Sequence, residues 1–280
     1  MNVVIGQHRL VSILNKYEVA TLPKTLLFVG PHGCGKQHVA HYLATKLGLP
    51  IKALDKDVSA EDLTEYTFST NKAIYLINLD EFTEKQQNVL LKFIEEPSDT
   101  VFVILTTSAP ARVLDTIQNR CIRHNFENYS VEELTQILNK TVDPKMLDIF
   151  KTPGKLKMLT ERSFVDTLSL ANLIVTGARP ANYAQFLTII TQVNFKDLYD
   201  KVDLQLLLDA VEYVAFMEFV HSNSEQRSFA SRFTSLAEQS KRILEITSTF
   251  KQHVTQTTLI KEVLMVNYLL QVWEVSSEAS

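Results

Sequence analysis

The chain has 280 residues, 45% of them hydrophobic and 21% charged, and its 28 basic and 32 acidic side chains leave a formal net charge of −4. This composition excludes a disordered or fibrous chain, and the net charge excludes a global basic field for nucleic acid, so any DNA contact is local or shared with partner chains. No run approaches the ~20 apolar residues of a membrane span, and Met1 to Gln7 lacks the shape of a signal peptide, so an intracellular protein without membrane partners is expected.

A chain of this length forms one large domain or two to three small ones. Seven glycines and eight prolines point to a helix-rich chain with compact connections. The two cysteines, Cys34 and Cys121, are isolated and form no zinc set; Cys121 is expected to be a buried thiol and Cys34 a small loop residue.

The first predicted element is a buried strand over residues 24–29, Lys24 to Val29, which stops at Gly30. Gly30, Pro31, His32, Gly33, Cys34, Gly35, Lys36 and Gln37 follow. They match the phosphate-binding loop, Gly, four residues, Gly, Lys, then Ser or Thr, in all but the last position. Val39, Ala40, Leu43 and Leu47 are spaced for a helix, which Gly48 and Pro50 stop. Strand, glycine loop and helix together are the setting such a loop requires: successive N–H groups turn inward and the helix N-terminus adds partial positive charge. Lys36 would reach the β- and γ-phosphates.

Gln37 replaces the hydroxyl that would ligate Mg²⁺ by an amide carbonyl, a weaker ligand for an ion that demands near-ideal octahedral geometry. Binding and hydrolysis therefore separate, and a loop that is vestigial and empty stays open as a reading.

A second strand is predicted over 73–81, ending in the paired acids Asp80 and Glu81. Asp80 would hold Mg²⁺ and Glu81 would polarise the attacking water; the alternative is a pair of solvated acids at a helix start. A helix follows from Thr83, its cap, to Ile94, and Pro97 ends it. A third strand over 100–105 leads into Thr106, Thr107 and Ser108. Thr107 could bond a γ-phosphate or the attacking water, or be a turn threonine. The alternation of strands and helices predicts a parallel sheet with crossover helices and ligand groups at the C-terminal strand ends.

Arg120 lies at the edge of this region. It is either a cation offered to a neighbour's nucleotide or half of a surface ion pair worth little; spacing alone does not choose. Beyond about Phe126 strand signals nearly vanish. Ser130 and Glu133 form a capping box, short helices run to about Leu159, and longer amphipathic segments follow at 163–176, 180–193, 203–220, 225–249 and 255–273. Breaks are predicted at 177–180, at Asn194 and at 221–224, and Ser276 to Ser280 read as frayed.

These residues resemble a clamp-loader subunit of the AAA+ class, close to the bacterial DNA polymerase III δ′ and γ/τ subunits and their phage equivalents. The likeness is carried by Ile5-Gly6-Gln7, the phosphate loop, Leu79-Asp80-Glu81, the segment Gln86 to Pro97 with its Glu95-Glu96-Pro97 ending, and Asn119-Arg120-Cys121, where the family has Ser-Arg-Cys. It is strong over about 1–130 and only architectural beyond.

The resemblance implies an α/β P-loop AAA+ domain at 1–128, a small helical lid at 129–162 and an all-α collar at 163–280. It implies Lys36 as the loop lysine, Asp80 and Glu81 as Walker B acids, Thr107 at the sensor-1 position, Arg120 as an arginine finger acting in trans, and Val4 and Ile5 beside adenine. Gly154 stands where active subunits carry the sensor-2 arginine, with Lys155 or Lys157 in its place on a shifted register.

ATP and a weakly held Mg²⁺, on Gln37 and Asp80, are the implied cofactors. Zinc is not, because the segment Ile51 to Lys72 lacks the family's four-cysteine module; the compact form suggests a phage version. The implied partners are other clamp-loader subunits in a pentameric hetero-oligomeric ring, the sliding clamp and primer-template DNA, in the cytoplasm of a bacterium or a phage-infected host. Gln37 and Gly154 impair the chain's own site while Arg120 is kept, which reads as a δ′-like subunit serving a neighbour. The alternatives are the ATP-hydrolysing motor subunit itself and another AAA+ remodeller such as a helicase loader.

Overall fold

The computed structural model describes residues 4–139, 142–159, 161–177, 204–225 and 232–254, with 268, 271 and 272. The predicted segment 180–193, the break at Asn194, most of 255–273 and the tail 276–280 lie outside the described residues.

Five strands, β1 (Thr25–Val29), β2 (Ile51–Leu54), β3 (Ala73–Asn78), β4 (Val101–Thr107) and β5 (Ile122–Asn125), form one parallel sheet in the order β2-β3-β4-β1-β5. Parallel strands covered on both faces read as continuous apolar runs, and β1 and β4 are buried at every position. Alternate residues go to opposite faces. Leu27, Tyr75, Ile77, Val103 and Leu105 pack with Leu90, Phe93 and Ile117 on one side; Leu26, Phe28, Ile74, Leu76, Phe102 and Ile104 pack with Val39 and Leu43 on the other.

The crossovers between strands are helices α2 (Lys36–Leu47), α3 (Ala60–Thr67), α4 (Glu84–Glu95) and α5 (Asp115–Gln118), while α1 (His8–Leu14) precedes β1 and α6 (Val131–Leu138) follows β5. Thr83 caps α4 as expected, in a reciprocal box with Gln86, and the expected box of Ser130 with Glu133 starts α6. Buried Gln87 of α4 ties the helix to the connection after β4, donating to the Arg112 carbonyl at 3.1 Å and accepting from Leu114 N–H at 3.1 Å.

Two strand ends differ from expectation. β3 stops at Asn78, and Leu79–Glu81 form a 3₁₀ turn: Leu79 buries its side chain, 2% exposed, and the turn brings Asp80 back against β4. β4 runs on through Thr107, because its last two residues pair with Phe28 and Val29 of β1.

The chain divides into two compact units, residues 1–143 with 151–157, and 144–150 with 158–280. The first contains the sheet and the short helix α8 (Pro153–Met158). Within the second lie α7 (Pro144–Ile149), α9 (Glu161–Gly177), α10 (Leu204–Glu225) and α11 (Arg232–Val254). α10 packs against both α9 and α11. Lys251 of α11 pairs with Asp209 at 2.7 Å and with Glu212, both on α10, and Thr247 shares a 2.7 Å hydrogen bond with buried Tyr268. α9 is described as far as Gly177, and the rest of the break predicted at 177–180 lies outside the described residues, whereas α10 continues through the break predicted at 221–224. No described helix is long and apolar enough to cross a membrane.

Candidate nucleotide site

β1 lies between β4 and β5, so the chain leaves β1 towards β2 at the far edge of the sheet. Ligands of open parallel sheets sit outside the C-terminal strand ends at such a reversal. The glycine loop occupies that place. Gly30 N–H donates to the Thr107 carbonyl at 3.1 Å, which fixes the loop to the end of β4. Gly33 and Gly35 have φ of 78° and 92°, left-handed values that let consecutive N–H groups face inward.

A cleft of 330 Å³ is lined by His32, Gly33, Gly35, Lys36, Gln37 and His38 of the loop and α2, by Asn78, Asp80 and Thr106 at the strand ends, and by Gly154. The structure thus brings the loop, Lys36, Gln37 and Asp80 together. Cys34 faces inward, fully buried, and its carbonyl accepts from the Tyr129 hydroxyl at 2.8 Å; burial raises both the thiol and the phenol, the latter to about 12. Val4 and Ile5 are partly buried, with Val4 against the core cluster around Leu10 and Phe28, and neither lines the cleft. Cys121, expected buried, is only partly so; desolvation pushes its thiol up to about 12.

The reactive groups of the cleft are engaged by other protein groups. Lys36 Nζ donates to the carbonyls of Gly30 at 2.6 Å and Pro31 at 3.0 Å. Burial holds its ammonium below the ordinary lysine value, partly offset by Cys34 and Asp80. Asp80 accepts from the Thr107 hydroxyl at 2.7 Å, from Ser108 N–H at 3.0 and 2.9 Å, and from the Ser108 hydroxyl at 2.6 Å. The Thr107 proton therefore points at Asp80. Glu81 is exposed and accepts from Asn78 Nδ2 at 2.6 Å.

The segment before α8 closes on the loop. Gly154 N–H donates to the Gly33 carbonyl at 2.9 Å, and the Thr152 hydroxyl donates to the His32 carbonyl at 3.0 Å. A Cβ at Gly154 would lie 2.6 Å from Gly33 Cα. Gly154, rather than Lys155 or Lys157, lines the cleft.

The donor set fits half of a nucleotide–metal pair. The cradle and Lys36 suit a phosphate chain. The cation half is poorer: Gln37 is exposed, and both Asp80 oxygens already accept hydrogen bonds. The sequence assigned no role to Ser108 or Asn78, although Ser108 carried a signal as a hydroxyl directly after Thr107 at a strand end. Thr152 belongs to the Thr152-Pro153-Gly154-Lys155 segment that resembles the family's lid, but its contact with the loop carried no signal there.

Arg120 stands apart from this cleft. Its Nη2 lies 2.7 Å from Glu95 Oε1 and its Nη1 donates to the Thr116 carbonyl at 2.7 Å. It opens on a different cleft of 620 Å³, lined also by Pro23, Lys24, Thr25, Glu95, Glu96 and Ile122.

A family model described as "DNA polymerase III, delta subunit" matches residues 50–130. DNA polymerase III subunit delta′ of Bacillus subtilis (strain 168) is 31% identical over 111 residues, which is 39% of this chain and 34% of that one. The chain is similar to clamp-loader subunits of the AAA+ class. Among the other clamp-loader relatives, the replication factor C small subunit of Aeropyrum pernix is 26% identical over 162 residues, covering 52% of this chain and 50% of that one. DNA polymerase III subunit tau of Escherichia coli (strain K12) is 25% identical over 212 residues, covering 62% and 33%. The chain spans about a third to a half of the length of the curated relatives it matches. Among solved structures, a DNA polymerase III gamma subunit-related protein from Thermotoga maritima superposes with a TM-score of 0.48 at 15% identity, covering 96% of this chain and 99% of that one.

Proposed function

We propose that the chain is a δ′-like, non-motor subunit of a DNA sliding-clamp loader: it binds ATP weakly, does not turn it over efficiently, and offers Arg120 to the nucleotide of a neighbouring ATPase subunit. The observation that carries this reading is the contrast between the two clefts. In the first, Asp80 is saturated by Thr107 and Ser108 and Gly154 rests on the loop. In the second, Arg120 opens on a broad cleft remote from the chain's own loop lysine. An arginine supplied in trans stabilises charge on a transferred phosphoryl group and raises turnover by about 10³–10⁵.

The proposed organisation keeps an AAA+ module at 1–128, a helical lid at 129–162 and a helical collar at 163–280, assembled with other loader subunits, a sliding clamp and primer-template DNA. A second reading, the motor subunit itself, draws on Lys36, Gln37 and Asp80 lining one cleft.

ATP turnover by the purified chain, and by the complex that co-purifies with it, separates the two. The non-motor reading expects no turnover alone, a complex unaffected by Lys36→Ala, and collapse of the complex's turnover with Arg120→Ala. Turnover alone that Lys36→Ala abolishes would establish the motor reading instead.

A further inference from the structure

Arg120 is anchored from two elements. Thr116, one helical turn earlier in α5, accepts from Nη1, and Glu95, the last residue of α4, takes Nη2. Both side chains of the pair are about two-fifths exposed, at 40% and 39%. An ion pair so exposed adds little to stability. What it does instead is remove freedom from a long side chain. A guanidinium carries five N–H donors in a rigid fork; two are used by these anchors, and the remaining donors are left for an incoming group on the side of the 620 Å³ cleft.

We infer that Glu95 is a positioning residue for Arg120, holding the guanidinium at the rim of that cleft in the orientation a neighbour's phosphate requires. This rests on the reading of Arg120 as a group donated in trans. α4 supplies a firm base for the carboxylate: Thr83 caps its start, Gln87 fastens its middle to Arg112 and Leu114, and Pro97 follows closely on its end. Arg120 therefore meets its neighbour already ordered, and catalytic geometry is sensitive to misplacement of about 1 Å.

The test uses the complex that co-purifies with the full chain, rebuilt with Glu95→Ala, Glu95→Gln or Arg120→Ala, and reads ATP turnover, the KM for ATP and assembly by size-exclusion chromatography. Glu95→Ala is expected to lower kcat about tenfold, less than the roughly 10²-fold that a 1 Å misplacement can cost because Thr116 still holds Nη1, with KM within about twofold and assembly intact. Glu95→Gln, which keeps an acceptor oxygen for Nη2, is expected to recover at least half of the lost rate on a logarithmic scale. Wild-type or higher kcat in Glu95→Ala, while Arg120→Ala collapses turnover, overturns the positioning role and leaves the proposed function standing. Unchanged turnover in Arg120→Ala removes both. Should Glu95→Ala fail to assemble, the kcat of Glu95→Gln decides: a modest fall at unchanged KM supports the role, and a fall equal to that of Arg120→Ala or no fall at all refutes it.

Discussion

Gly154 is the residue at which the segment before α8 comes nearest to the glycine loop. Its N–H bonds to Gly33 and its Cα lies so close to the loop that any Cβ meets backbone at 2.6 Å. An arginine there could not point at a phosphate without displacing the loop. Gly154→Ala is expected to lower stability by about 1–3 kcal/mol, the usual cost of overpacking, measured by urea unfolding of the full chain. His124 supplies a second test. It is 8% exposed, its Nε2 has no hydrogen-bond partner among the described residues, and burial lowers its pKa below 6.5. Below pH 6.5 the unfolded chain takes up a proton that the folded chain resists, so stability falls as pH drops through that value towards the depressed folded one. His124→Phe, which keeps the edge contact with Phe28, is expected to flatten the fall in urea midpoint between pH 7.5 and 5.5.

At the scale of elements, capping decides where several helices begin. Ser130 accepts from Glu133 N–H at 3.2 Å while Ser130 N–H donates to Glu133 Oε2 at 2.8 Å. Ser130→Ala is expected to cost about 1 kcal/mol, read as a lower urea midpoint at unchanged slope. α4 links several parts of the first unit. Its cap follows directly on the turn that carries Asp80 and Glu81, its middle holds the connection into α5, and its last residue holds Arg120. The 3₁₀ turn Leu79–Glu81 matters as much, since it converts a strand end into a carboxylate facing Ser108.

For the whole molecule, the weak ATP binding proposed for this self-engaged site has a thermodynamic signature. A ligand that binds only the native state stabilises it by RT ln(1 + [L]/Kd). Adding ATP is expected to raise the melting temperature slightly, and by the same amount with Mg²⁺ or with a chelator, because Gln37 and Asp80 offer a poor cation seat. A rise that appears only with Mg²⁺ would contradict this. Lys36→Ala is expected to remove the shift altogether, as seen by differential scanning fluorimetry.

What was legible in the linear chain is what local interactions set. The strand, glycine loop and helix around Lys36, the capping box at Ser130, the end of α4 before Pro97 and the run of helices after Phe126 rest on residues only a few positions apart, whose φ/ψ preferences and i,i+3 contacts are present in the linear chain. Four elements went unread, although α3 does carry such a signal in the capping box of Ser59 with Asp62. β2 and β5 have four residues each with mostly exposed side chains, and α1 and α3 are short; β2 and β5 exist because the sheet offers them a hydrogen-bonding edge. Three pairings came from the folded chain alone: Ser108 saturates Asp80, 28 positions earlier, Gly154 seats itself on Gly33, and Glu95 and Thr116 together hold Arg120. Those pairings depend on strand register and on the reversal of chain direction beside β1, which are set by burial of the whole sheet rather than by any residue's near neighbours.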